Sequence, residues 1–288
     1  MKNVEVLPLS PGGRRYGRYL DNANNPSRIR LMKSTATSVV LPAKASVAQF
    51  MGFIRDQGQA GSCTGQLGAE ITDLMYRSRN ASFPSSETKS VTASNFEASA
   101  EFVYINNLIA DGNLGQDAGS TIYQTFLTLH QYGSCLNSQE PYTDAVSVLS
   151  TPPTSAEYTE ALINKLGTLS HLPNLREIKS TIASGYSAGI GLNVFTSFES
   201  NEMTNTGIMP MPNLSDQYLG GHAAHVVAYD DTKSFISVGN DHPGGVFIQN
   251  SWGSQWGISA PGRTDRGCYW MPYAYFDANV SDCWSIGA

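Results

Sequence analysis

The hydrophobic period of this chain changes about half-way along, and this change constrains the fold more than any other feature. Between residues 62 and 133, apolar residues recur at helical spacing, as Leu67, Ile71 and Leu74 do, and three helices are predicted. After Gly185 the pattern favours strands, in the runs AGIGLNVF, HAAHVVAY, SFISVG, GVFIQN and CYWMPY. A helical half followed by a strand-rich half predicts an α+β fold, with a ligand cleft between the two parts.

Capping patterns predict where individual helices begin. Ser94 and Glu97 form an S-x-x-E pattern ahead of the second helix, and Thr154 with Glu157 precedes a shorter helix that is expected to reach Gly167. Residues 1–45 lack such periodicity and are rich in Gly, Asn, Ser, Arg and Pro. We expect an N-terminal extension at 1–45, a mainly helical part at 46–145 and a mainly β part at 146–288.

Charge and composition exclude several function classes. The net charge is −6, charged residues make up 15% of the chain, and no run of Lys or Arg is present, so no nucleic-acid partner is expected. No stretch approaches about 18 unbroken apolar residues, so no membrane partner is expected either. The N-terminus lacks the apolar core of a secretory signal, which favours a cytoplasmic location. Release by lysis, a route outside the general secretory one, or a place in a phage particle is the alternative.

One of the four cysteines, Cys63, lies where a thiol can become reactive. It follows Gly61 at the start of the first predicted helix, where unpaired N–H groups and the helix dipole lower a thiol pKa. The other reading is a small buried residue in a turn. The cysteines show no CxxC pairing and no metal-type spacing, so no metal site is expected.

Two further segments carry polar residues that suit catalysis. His222 and His225 lie on one predicted strand and must face opposite sides of it, so they cannot share a metal. His222, beside a Gly-Gly turn, is the better candidate for the cleft, and His225 is expected to be packed or on the surface. Asn250 ends a buried strand and can accept the imidazole N–H, with Trp252 shielding that bond. The alternative for this N-S-W-G run is an ordinary turn with a core tryptophan.

Taken together, the segments DQGQAGSCTGQ, GGHAAHVVAYDD and QNSWGSQWG resemble, in this order, the papain-like cysteine peptidases, and the resemblance covers about residues 45–288. It implies a two-lobed fold, with a helical lobe, a strand-rich, barrel-like lobe and the active-site cleft between them. It also implies that Cys63 is the nucleophile, His222 its base, Asn250 the residue that orients the histidine, and Gln57 an oxyanion-hole donor.

A fourth segment, GQDAGSTIYQTFLTLHQYGSCLNSQEPYTD, resembles the stretch of that family that binds substrate backbone. Gly119 matches one glycine of a pair, and Ala118 replaces the other. Gly61 and Trp252 are assigned to substrate binding on the same resemblance. The C-terminal run is similar to bacterial and phage members.

Three positions depart from the family pattern: Thr64 replaces a tryptophan, Ala60 a disulfide cysteine, and Ala228 a glycine. The first and third alter packing and leave the catalytic residues in place. Loss of the disulfide cysteine suits a reducing compartment or a bacterial branch.

The resemblance implies a cysteine endopeptidase that hydrolyses peptide bonds without metal or cofactor and takes peptides or proteins as substrates. One alternative is a scaffold of the same fold used for binding or assembly, for example in a particle. Another is a different acyl transfer, such as deamidation or transglutamination. The N-terminal extension is expected either to lie in the chain's own cleft, as pro-segments of the family do, or to brace the body.

Overall fold

The computed structural model of the protein describes residues 8–19, 40–81, 95–237 and 239–287. Three helices dominate the first half: α1 (Cys63–Ala81), α2 (Ala100–Asp111) and α3 (Ile122–Gln131). Two of their starts are capped by side chains, since Ser99 accepts the N–H of Phe102 and Thr121 accepts that of Gln124.

The second helix begins later than its sequence predicts. Ser94 lies outside the described residues, and Ser99 is the N-cap of α2. The backbone before it has other partners: the N–H of Ala98 donates to Asp73 Oδ1 at 2.8 Å, and Ala98 forms an antiparallel bridge with Leu136. Because these groups are already paired outside a helix, this stretch is not helical.

Two glycines let α1 and α2 approach closely. A Cβ on Gly65 would lie 2.6 Å from the Tyr104 Cβ, and one on Gly68 would lie 2.7 Å from a Val103 methyl carbon. Neither space holds a methyl group without displacing the neighbouring helix. Elsewhere on α1, Leu67 joins the core against the sheet, so the helix lies buried between the two parts of the molecule.

Four shorter helices follow: α4 (Ser155–Ala161), α5 (Leu175–Ala183), α6 (Asn201–Thr206) and α7 (Tyr273–Asn279). The predicted capping box of Thr154 and Glu157 is formed. The prediction that this helix reaches Gly167 is wrong. The chain leaves α4 through a 3-10 turn, where Asn164 Nδ2 donates to the Ser134 carbonyl oxygen at 3.0 Å and the Leu166 N–H to that of Leu129.

The second half is built on one antiparallel sheet with the order β2-β7-β3-β4-β5-β6, and β1 pairs with β4. The strands are β1 (Lys44–Ser46), β2 (Leu169–His171), β3 (Ala188–Phe195), β4 (Tyr218–Ser237), β5 (Asn240–Gln249), β6 (Cys268–Pro272) and β7 (Val280–Ile286). HAAHVVAY and SFIS, which were predicted as separate strands, form the single irregular strand β4, with register shifts against β5. The helices of the first half together with this antiparallel sheet give the two-lobed α+β fold.

Strand β7 was not predicted, although it lies inside the sheet between β2 and β3. Its run, VSDCWSI, contains polar residues, yet most of them are buried. Trp284 Nε1 donates to Asp282 Oδ1 at 2.8 Å, and Ser285 Oγ donates to the Ser187 carbonyl oxygen at 2.7 Å. These bonds satisfy groups whose polarity hides the strand from a hydrophobic pattern. Within the described part of the chain, no helix has the length and apolarity needed to cross a membrane.

Candidate active site

Cys63 lies at the first position of α1 and is fully buried. The loop ahead of it is held to the helical part, because the Gly61 N–H reaches both carboxylate oxygens of Asp117 at 3.0 Å. Tyr104 OH also donates to Asp117, at 2.7 Å. Asp117, which the sequence did not single out, therefore fixes the turn that presents the sulfur.

His222 comes from β4 and Asn250 from the residue after β5, and their side chains are hydrogen-bonded to each other. The imidazole Nε2–H donates to Asn250 Oδ1 at 2.8 Å, and both side chains are buried. This bond assigns the proton of the neutral ring to Nε2, so Nδ1 carries the lone pair. Nδ1 is buried and has no hydrogen-bond partner in the part of the chain that is described, so its bond to the Cys63 thiol is not formed in this state.

Aromatic side chains enclose the imidazole. The Trp252 ring centroid lies 5.7 Å from that of His222, and Tyr16 packs edge-on against the same ring at 6.0 Å. Phe198 supports Trp252 from behind, at 4.8 Å. The histidine–asparagine bond thus lies in an apolar surrounding that keeps water away from it.

Gln57 is held beside these residues by the chain around Ser251. The Gln57 backbone N–H donates to the Ser251 carbonyl oxygen at 2.9 Å, and Ser251 Oγ donates to Gln57 Oε1 at 2.8 Å. With Oε1 occupied, the side-chain NH₂ faces the other way. It donates to the Ala60 carbonyl oxygen at 2.9 Å and to the Arg15 carbonyl oxygen at 3.3 Å. Ser251 was missed as an orienting residue, although it stands inside the N-S-W-G run.

The electrostatic state of the two reacting side chains differs from the expectation of a lowered thiol pKa. Burial raises the pKa of Cys63 to about 11, although backbone N–H groups of Ala223 and Gly17 approach the sulfur and lower it. Burial likewise lowers the pKa of His222 to about 4, against the opposing effect of the Asn250 bond. At neutral pH both groups are therefore uncharged in this structure.

The predicted substrate-binding residues fall in different places. Gly119 has φ +74°, and a Cβ on it would overlap the carbonyl of Gly17, so it lies at the surface of the cleft. Ala118 is fully buried against Tyr104 and Leu108, so its side chain does not line the cleft. Trp252 is also mainly buried, next to the imidazole.

His225, on the same strand as His222, faces the other side. Its Nδ1 lies 3.3 Å from Gln249 Oε1 and 3.9 Å from Glu70 Oε2, and all three side chains are buried. The alternation of β4 thus separates the two histidines, as predicted. Within the described residues, no group of three His, Cys, Asp or Glu side chains is arranged to hold a metal ion.

The N-terminal residues 14–19 cross directly over Cys63. The Ser120 N–H donates to the Gly17 carbonyl oxygen at 2.7 Å, and the Tyr19 N–H donates to that of Ser120 at 3.0 Å. On the other side, the Arg18 N–H donates to the Gly221 carbonyl oxygen at 3.0 Å. Both bridges are parallel, so this segment, which we name the covering strand, pairs with both walls of the cleft.

A carboxylate secures the approach to the covering strand. Glu199 Oε1 accepts Tyr16 OH at 2.6 Å, and Glu199 Oε2 accepts the Gly12 N–H at 2.9 Å. Ser10 Oγ also donates to this carboxylate. Neither Glu199 nor these three partners carried a recognisable signal in the sequence.

A thiol at a helix start beside a histidine–asparagine pair is the arrangement of a thiol-dependent acyl-transfer enzyme. Residues 42–269 match the family described as papain family cysteine protease. An uncharacterised peptidase C1-like protein of Acanthamoeba polyphaga mimivirus is 30% identical over 243 residues, which cover 80% of this chain and 68% of that protein.

Solved structures agree with the family match. Xylellain, a cysteine protease from Xylella fastidiosa, is 26% identical with a TM-score of 0.75, covering 95% of this chain and 96% of that one. Digestive procathepsin L 3 of the Tenebrio molitor larval midgut shares the fold, with a TM-score of 0.62 at 16% identity over 90% of this chain and 74% of that one. The chain belongs to the papain family of cysteine proteases and has its two-lobed α+β fold. It is a cysteine-type peptidase whose substrates are peptides or proteins.

Proposed function

We propose that this peptidase cleaves its substrates as an endopeptidase, with Cys63 as nucleophile and His222 as general base. The bond from His222 Nε2 to Asn250 Oδ1 carries the proposal, because it leaves the Nδ1 lone pair free to take the thiol proton. The sulfur then attacks the peptide carbonyl carbon. The protonated imidazole gives its proton to the leaving amine, and water hydrolyses the thioester that remains on Cys63.

Gln57 and the Cys63 backbone N–H are proposed to stabilise the oxyanion. The support is the Arg15 carbonyl oxygen, which already accepts from Gln57 Nε2 at 3.3 Å as a peptide oxygen would. Ser251 holds the amide in the orientation that exposes its donors. Removing one donor of this kind lowers the rate by about 10²–10³.

The rim of the cleft at Gly119 is proposed to bind substrate backbone. The Ser120 N–H and carbonyl oxygen already pair with a peptide segment, and Gly119 at φ +74° provides the close approach. Gly61, with its carbonyl under Gly17, and Trp252 form the floor and the wall of the same groove. Ala118 contributes as the packed base of this rim.

The N-terminal extension is proposed to inhibit the enzyme by filling its own cleft, which we favour over a purely bracing role. The covering strand pairs in parallel with Ser120 and so binds backbone groups that a substrate is proposed to bind. It also covers Cys63, which is fully buried. A bracing segment has no need to contact the nucleophile, the oxyanion donor and the substrate rim together.

The test uses a full chain that carries a site-specific protease recognition sequence inserted between residues 19 and 40 and is cut after folding. Digestion of a peptide library, with mass-spectrometric product analysis, is expected to give internal cleavage by the cut chain and little by the uncut chain. The same cut chain with Cys63→Ala is the matched control and is expected to be inactive. Ammonia release without cleavage would support another acyl transfer, and no product would support a binding scaffold.

A further inference from the structure

The covering strand brings a charged side chain into the interior of the cleft wall. Arg18 is only 5% exposed, whereas the strand that carries it is held mainly by backbone bonds. A guanidinium is buried only where the protein provides space and compensation for its charge. The residues around Arg18 therefore form a pocket in the wall of the cleft, and this pocket is present without a bound substrate.

Glycine and strand β7 form this pocket. A Cβ on Gly191 would lie 2.7 Å from Arg18 Cζ, so the absence of a side chain there makes the space. Arg18 Nη2 donates to Ser281 Oγ at 3.3 Å. Gly191 pairs with Asp282 in the β3–β7 register, which brings a carboxylate to the same place. We name the space bounded by Gly191, Gly221, Ser281 and Asp282 the Arg18 pocket.

Asp282 provides the opposite charge. It is buried, and its Oδ1 is fixed by the 2.8 Å bond from Trp284 Nε1. Burial lowers the pKa of Arg18, and the Asp282 carboxylate is the strongest influence that raises it again. A buried carboxylate whose orientation is fixed by a hydrogen bond favours a cationic side chain over a neutral one of the same shape.

The pocket lies on the acyl side of the reacting bond. His222 gives its proton to the leaving amine, so that part of a substrate lies toward His222 and Trp252, where Tyr16 packs. The acyl part extends the other way, along Ser120, next to Arg18. Gly17, whose N–H approaches the sulfur, precedes Arg18 by one position. The pocket thus receives the side chain of the second residue before the cleaved bond, which precedes the residue whose carbonyl is attacked.

We propose that the Arg18 pocket selects substrates with arginine or lysine at the second residue before the cleaved bond, and that Asp282 determines this preference. The proposal rests on the proposed function of Cys63. It also gives Arg18 a role, as the residue that fills the pocket while the cleft is covered.

The test compares chloromethyl ketones of three dipeptides, Arg-Gly, citrulline-Gly and Leu-Gly, as alkylating probes of the full chain. The Cys63 sulfur displaces chloride and forms a thioether, and peptide mapping measures the rate at each cysteine. Displacement of the covering strand limits all three probes equally, so this equilibrium cancels in the ratio of rates. Citrulline keeps the shape of arginine without its charge. We expect the Arg probe to react at least about tenfold faster than the citrulline probe.

Asp282→Asn keeps an acceptor for Trp284 and removes the charge, and it is expected to bring the Arg-to-citrulline ratio close to one. Iodoacetamide should also alkylate Cys63 of this variant faster than Cys63 of the natural chain. Arg18 loses its counter-charge in the variant, so the covering strand is held less firmly. General damage to the fold would instead expose Cys135 as well. Asp231→Asn, which removes an equal charge from an exposed pair with Lys179, is the control and should leave the ratio unchanged.

Two results would overturn the proposal: a ratio near one in the natural chain, or the same ratio in Asp282→Asn. The natural-chain ratio decides the question even where the variant fails to fold. If the probes label Cys63 faster than Cys135 without any preference for arginine, the pocket assignment alone fails. If no probe prefers Cys63 to Cys135, even in the chain cut after folding, the proposed function fails as well.

Discussion

Gly17→Ala should release the covering strand without altering the body of the enzyme. A Cβ on Gly17 would lie 2.6 Å from the Gly61 carbonyl carbon and 2.9 Å from its Cα, and nearer still to the oxygen. All three atoms are backbone, in a loop fixed by Asp117, so the body cannot give way cheaply. The covering strand, held at its edges, must move instead.

The size of the effect follows from the bonds that fix this strand. Three backbone hydrogen bonds join Gly17, Arg18 and Tyr19 to the cleft walls. At about 1 kcal/mol each, their loss shifts the covered-to-open equilibrium by about 3 kcal/mol, or roughly a hundredfold. Opening also returns water to Cys63, whose pKa burial holds at about 11, so more thiolate forms at neutral pH.

The assay is the rate of iodoacetamide alkylation at Cys63, followed by peptide mapping, with buried Cys135 as internal reference. Leu9→Ala is the matched control, since Leu9 belongs to the same N-terminal extension but lies outside the covering strand and is 48% exposed. We expect a large rise for Gly17→Ala, no change for Leu9→Ala and no change at Cys135. A Gly17→Ala chain whose Cys63 reacts within twofold of the natural rate would refute the reasoning.

Three further outcomes test other parts of the molecule. In the cut chain, Asn250→Ala should lower kcat/KM for peptide hydrolysis about tenfold or more, because it removes the bond that orients the His222 ring. Asp73→Ala should lower the free energy of urea unfolding by about 3–5 kcal/mol, since it leaves buried Arg55 without its 2.7 Å partner. Burial raises the pKa of Glu101 to about 7, so the stability linked to its protonation is complete below its unfolded value near 4.5 and is lost as pH rises through 7. The urea midpoint of Glu101→Gln minus that of the natural chain should therefore be larger at pH 8 than at pH 5. The same difference at the two pH values would contradict this.

The sequence predicted the parts of the fold that follow from local periodicity. Helix α3 and strand β3 appear where the apolar pattern indicates them, because each buries one continuous apolar surface. Strand β7 escaped because Asp282 and Ser285 are polar yet buried, and Ser285 finds its partner, the Ser187 carbonyl oxygen, far along the chain, which no local pattern reveals. The late start of α2 has the same origin, since Asp73 on α1 binds the backbone that would otherwise join the helix.

At the site, the sequence predicted the residue types that the chemistry needs and their order, and the structure brings His222 and Asn250 together. Asp117 and Ser251 were missed because they act on neighbours, the Gly61 N–H and the Gln57 side chain, and their value depends on orientation. The charge state of Cys63 also could not be predicted from the sequence. A helix start lowers a thiol pKa only where water or a cation can accommodate the thiolate, and burial outweighs it here.

The covering strand affects the reacting groups in two ways that differ physically. It pairs with Ser120, and we propose that its exclusion of water favours the neutral forms of Cys63 and His222, whose pKa values burial shifts to about 11 and about 4, although the Gly17 N–H and Arg18 partly lower the thiol pKa. A thiolate–imidazolium pair requires the opposite order of these two values. On the proposed function, uncovering the cleft is therefore expected both to admit the substrate and to permit the proton transfer that charges the pair. A segment that merely blocked access would leave a reactive thiolate beneath it, whereas on the proposed function the covering strand keeps Cys63 in its unreactive, protonated form until the strand departs.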